Sequence, residues 1–120
     1  MNQLVSGLAP MHPGELLRED ILPALNKPKA EIARLIEVSR QTLYDILAEK
    51  QDVTPTMALR IGKLTGTTPE MWVNMQRNFD LRVQAVKDAD IIARIPTLEA
   101  AGSVGRSAAM LAATTRGMAQ

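Results

Sequence analysis

Ser39, Arg40, Gln41 and Thr42, followed by Tyr44 and Asp45, set polar side chains around the apolar spacing Leu43, Ile46, Leu47. On a helix those two groups fall on opposite faces. The polar face has the chemistry of base recognition. Arg40 can donate a fork to guanine O6 and N7, Gln41 can pair with adenine in both directions, and the Thr42 methyl can meet thymine. Ser39 and the first free N–H groups of such a helix suit a phosphate oxygen, and Lys50 and Gln51 follow in a position to touch the backbone. A solvated helix face has the same composition, so spacing alone leaves both uses open.

Base reading needs a second helix to hold this one. The stretch "AEIARLIEVSRQTLYDIL", residues 30–47, supplies it. Ile32, Leu35 and Ile36 predict a short helix from about Pro28 to Glu37, Ala33 is small where two helices must approach, Val38 plugs the link, and Ser39 caps a helix from Arg40 to Ala48. Together they form the helix-turn-helix pattern. Prolines mark the other starts, because the missing N–H of proline is unpaired in a helix's first turn anyway. One helix is expected from Pro13 through Leu17 and Ile21, ending by Pro23. A fourth runs from the Thr54 cap and Pro55 to Gly66, with Met57, Ala58, Ile61 and Leu64 inward. A fifth follows Thr68 and Pro69, with the stripe Trp72, Met75, Phe79, Val83 and Val86. Residues 87–95 either extend it or form another short helix, which Pro96 ends. The stretch from Ala101 onward, rich in Ala, Gly, Ser and Thr, reads as a flexible tail, with 108–113 a candidate helical turn.

The bulk numbers narrow the functions. A chain of 120 residues is one domain's worth and leaves little room for a deep substrate pocket. Net charge is +1, so any nucleic-acid contact must come from local placement of charge. Absent cysteine removes disulfides and thiolate metal sites, and no run of apolar residues is long enough to span a membrane. A soluble cytoplasmic protein without cofactor or metal is expected. His12 is the sole histidine and is expected as a helix cap or surface residue. Glu15, Glu19 and Asp20 have no partnered nucleophile, and acids in a helix's first turns are explained by its dipole, so an enzyme is not expected. No glycine-rich phosphate loop is present. Met57, Met71 and Met75 are expected to fill gaps between helices.

Three stretches carry a family resemblance: "HPGELLREDIL", "VSRQTLYDI" and "TPTMALRIGKLTGTTPEMWVNMQRNFDL". Together they resemble the HigA-type antitoxins, a branch of the lambda-repressor-like (XRE) helix-turn-helix family. The resemblance spans residues 11–86. It implies an all-α, five-helix lambda-repressor-like bundle, with residues 1–10 as an N-terminal arm and 87–120 as a C-terminal extension. It also implies a homodimer on an inverted-repeat operator, autorepression, and direct neutralisation of a HigB-type, RelE-fold toxin that cuts messenger RNA. No membrane or small-molecule substrate is implied. Carried over position by position, the recognition helix matches Ser39, Arg40, Gln41, Thr42, Tyr44 and Asp45.

The chain departs from the family pattern where Glu37 and Glu49 stand at positions that commonly hold Gly, and Asp52 where neutral or basic residues are common. A left-handed backbone costs Glu more than Gly. Residues 1–60 also hold seven Lys or Arg against eight Asp or Glu, so no basic surface is assured. Two other functions therefore stay open: a stand-alone regulator of the same fold, and an interaction module that has lost DNA binding.

Overall fold

The computed structural model describes residues 10–100, and every regular element among them is helical. The elements are α1 (Pro13–Leu16), a π-helical turn (Leu17–Ile21), α2 (Leu22–Leu25), α3 (Lys29–Leu35), α4 (Arg40–Leu47), α5 (Pro55–Thr65), α6 (Pro69–Lys87) and α7 (Ala89–Arg94). Residues 1–9 of the expected 1–10 arm, and the candidate helical turn at 108–113, lie outside the described residues. The chain divides into a unit ending at Lys87 and a second beginning at Asp88.

α1, the π turn and α2 follow one another without a break, so the first helix continues through Pro23 to Leu25 instead of ending before or at it. A proline ring collides with the carbonyl four residues back and offers no N–H. The wider π turn lies immediately upstream, where the Leu22 N–H reaches back five residues to the Leu17 carbonyl. Asn26, left-handed at φ 55°, closes the segment.

α3 and α4 form the expected pair. α3 ends in a Schellman closure, with the Val38 N–H on the Ala33 carbonyl at 3.0 Å and the Glu37 N–H on the Arg34 carbonyl at 3.1 Å. α4 ends the same way, Lys50 bonding to Asp45 at 2.8 Å and Glu49 to Ile46 at 3.0 Å. Both closures need a left-handed residue, and both use glutamate: Glu37 at φ 59° and Glu49 at φ 63°. α5 ends on Gly66 at φ 72°, as the sequence implied.

The core joins Leu17 and Leu22 to Ile32, Ala33 and Ile36, to Leu43, Ile46 and Leu47, and to Val53, Met57, Ala58, Ile61 and Trp72. Met71 packs against it from the side. Two apolar expectations fail. Leu35 is 43% exposed, because α3 turns Ile32 and Ile36 inward and leaves Leu35 at its edge. The stripe on α6 fades along its length: Trp72 is fully buried, Phe79 half-buried and Val86 71% exposed. α6 packs on α5 and α1, and those partners cover its first half.

Candidate nucleic-acid interface

The polar face of α4 stands on a fixed base. Leu43, Ile46 and Leu47 are buried beneath it, and from the other side Gly14 brings α1 against the Ile46 backbone so closely that a Cβ there would overlap the carbonyl oxygen. His12 caps α1, its Nδ1 accepting the Gly14 N–H at 2.9 Å. Of the two roles expected of His12, the cap is present and the surface position is not. The imidazole is 2% exposed and stands edge-on to Phe79, ring centroids 5.0 Å apart.

The start of α4 is ordered by Ser39. Its Oγ accepts the Thr42 N–H at 3.0 Å and donates to Thr42 Oγ1 at 2.9 Å. Ser39, Arg40, Gln41 and Tyr44 are exposed, whereas Thr42 and Asp45 are half-buried. Gln41 Nε2 donates to Asp45 Oδ1 at 2.8 Å, one helical turn on. An amide has two N–H donors and a carbonyl acceptor, so this bond leaves Gln41 one donor and the acceptor facing outward. Asp45 thereby orients Gln41. Lys50 and Gln51 are exposed in the next loop, beyond the α4 closure.

Residues that sequence reasoning passed over fix the two ends of α4. Arg18, from the π turn, donates through Nη1 to the Leu47 carbonyl at 2.7 Å and to Glu49 at 3.3 Å, and through Nε to Glu19 at 2.8 Å. The Glu19 hydrogen bond, opposed by desolvation and helped by Glu49, holds its guanidinium above the usual arginine range. Arg60 on α5 donates to the Ile36 and Glu37 carbonyls at 2.9 and 2.8 Å, which ties down the link between α3 and α4. Gln76 on α6 is 5% exposed. It accepts the Val53 N–H at 2.8 Å and donates to Asp52 at 3.2 Å and Asp80 at 3.0 Å, so the loop after α4 is anchored to α6. Gln76 had a visible signal, as a polar residue on an apolar stripe, and so had Gly14 beneath α4, as a glycine inside a helix.

Chains of known structure share this fold. A helix-turn-helix family model matches residues 17–72, the span from the π turn to Trp72. An uncharacterised HTH-type transcriptional regulator of Escherichia coli K12, YddM, is 34% identical over 79 residues, covering 66% of this chain and 82% of the relative. The antitoxin GraA in complex with its operator is 39% identical with a TM-score of 0.71, covering 78% of this chain and 95% of that one. The Pseudomonas aeruginosa antitoxin HigA with the higBA promoter is 32% identical with a TM-score of 0.70, covering 74% and 98%. The chain belongs to the HigA-type branch of the XRE helix-turn-helix family. In this HigA-type fold α3 and α4 are adjacent helices joined by a short link, and both lie inside the matched span. Its glutamates at 37 and 49 occupy left-handed sites without disturbing either helix closure. No described helix is long and apolar enough to cross a membrane.

Proposed function

We propose that the protein is the antitoxin of a type II toxin–antitoxin pair, a dimer that binds an inverted repeat upstream of its own operon and represses it. The observation that carries this is the outward edge of α4: Arg40, Gln41 and Tyr44 exposed on a helix that Ser39, Arg18 and a buried apolar face hold still. Two copies would set their α4 helices in successive major grooves about 34 Å apart. Arg40 and Gln41 would read base edges, Ser39, Lys50 and Gln51 would hold phosphates, and Thr42, Tyr44 and Asp45 would complete the reading face. The operator-bound state of the GraA structure and the promoter-bound state of the HigA structure support this use of the fold.

Neutralisation of a RelE-like messenger-RNA-cleaving toxin by direct surface contact is the second half of the proposal. Any effect of bound toxin on operator affinity must then be matched by an equal effect of bound operator on toxin affinity. A gel shift on the protein's own upstream region tests the DNA half: the Arg40→Ala, Gln41→Ala double variant is expected to lose specific binding. Unchanged binding removes the assignment of the α4 face. Co-expression with the product of the adjacent reading frame tests the toxin half. Growth arrest by that product, relieved by this chain, is the expected result, and an innocuous product counts against it.

A further inference from the structure

Between the end of α3 and α5 lies a groove of about 490 Å3, lined by Leu35, Ile36, Leu59, Arg60, Lys63 and Leu64. Leu59 is 62% exposed at its rim. Its ionisable side chains are all cationic. Arg60 is already fixed by the Ile36 and Glu37 carbonyls, so that wall is rigid, and Lys63 makes no ion pair among the described residues. An apolar floor with a positive rim calls for an apolar segment that carries carboxylates.

The chain itself contains such a segment. In and just after α7, Ile91, Ile92 and Ile95 share one helical face, and they and Leu98 are all more than half exposed. Residues 88–100 hold Asp88, Asp90 and Glu99 against Arg94 alone. Pairing groove with groove across a two-fold axis would set Arg60 and Lys63 against their own copies, and pairing α7 with α7 would gather the acids. Pairing groove with α7 joins opposite charges, and a two-fold axis repeats the contact.

We propose that α7 of one copy docks into the α3–α5 groove of a second copy, reciprocally. The duplicated contact doubles the buried apolar surface, which moves it toward the roughly 800 Å2 per partner of a stable interface. The inference rests on the dimer of the proposed function and needs neither DNA nor toxin.

Because the sequence has no cysteine, every disulfide in a cysteine variant is an engineered one. Full-length Leu59→Cys and Ile92→Cys chains, one carrying a mass tag, are mixed under mild oxidation and run on a non-reducing gel. Both positions are exposed, so neither change threatens folding. A mixed disulfide dimer is expected, since the bond needs α-carbons within about 7 Å. Ala24→Cys in place of Leu59→Cys should give little. The proposal is overturned if the two mixtures give equal yields, or if a Leu59→Cys, Ile92→Cys chain closes only on itself. Sedimentation gives an independent reading: Leu59→Glu should raise the dimer dissociation constant at least tenfold, and an unchanged constant also overturns the contact. A wild-type chain that sediments as a monomer removes both this contact and the dimeric DNA reading. A wild-type dimer without the mixed disulfide removes this contact alone.

Discussion

Gly14 lies so close to Ile46 that any side chain at position 14 would displace the backbone of α4. The obstacle is a carbonyl oxygen inside a helix and not the tip of a flexible side chain, so the strain cannot be relieved locally. Gly14→Ala is therefore expected to destabilise the fold by about 2–3 kcal/mol, at the upper end of the overpacking range. Gly66→Ala meets no atom but must adopt φ 72°, at a cost of about 1 kcal/mol. Urea unfolding of both variants should rank them in that order, and a Gly14→Ala midpoint equal to wild type would contradict the close approach.

Glu37 and Glu49 occupy the same kind of site but differ in what else holds them. At Glu37, φ 59° costs an L-residue about 1–2 kcal/mol, and glycine returns about half of that gain to chain entropy. Glu37→Gly is expected to stabilise the protein by about 0.5–1 kcal/mol, seen as a higher denaturation midpoint. Glu49→Gly should gain less, because its carboxylate also accepts from Arg18 at 3.3 Å. Equal gains at both positions would mean that the Arg18 contact adds nothing.

Gln76 can be tested by two substitutions with different signatures. Gln76→Ala leaves the buried Val53 N–H without its acceptor and should cost about 1–3 kcal/mol. Gln76→Glu keeps that acceptor but sets a third carboxylate beside Asp52 and Asp80. Like charges raise the new carboxyl's folded-state pKa above its unfolded value near 4.3, so the charged form destabilises the fold. The deficit of Gln76→Glu relative to wild type is thus full at neutral pH and shrinks as pH falls toward about 4, whereas that of Gln76→Ala stays nearly constant. Thermal melts across that range separate the two.

The sequence made the helical frame legible because its punctuation is local: Ser39, Thr54, Pro55 and Gly66 each act within their own turn. Trp72 was legible as core for a related reason, lying on an apolar stripe, and it is fully buried with its indole N–H on Thr67 at 2.7 Å. What stayed hidden depends on long-range meetings. Nothing near Arg18 in the chain points to Leu47, and nothing near Gln76 points to Val53, yet those contacts fix the two ends of the loop that follows α4. The run through Pro23 was missed because a π turn has no sequence punctuation of its own. On α4 the polar face was legible as a set, but the division within it was not. The Gln41–Asp45 bond sets a residue that faces outward apart from one that steers it.

That division gives a prediction about operator recognition. If Gln41 reads adenine through its remaining donor and acceptor, Gln41→Ala should lose about 1–3 kcal/mol of discrimination at one base pair per half-site, with other positions unchanged. Asp45→Ala removes the orienting bond but keeps the Gln41 amide, so the part of its loss that acts through Gln41 should fall at the same base pair and be smaller. Lys50 is exposed beyond the α4 closure and is assigned to phosphate, which carries no sequence information. Lys50→Ala should weaken specific and non-specific DNA alike and lower the salt dependence of binding by about 0.9 log units per log unit of salt for each subunit. Fluorescence anisotropy over a salt series, on the operator and on single-base variants of it, measures all three changes together. A Gln41→Ala profile that matches Lys50→Ala, uniform across bases with only the salt slope altered, would place Gln41 on the backbone and leave base reading to Arg40.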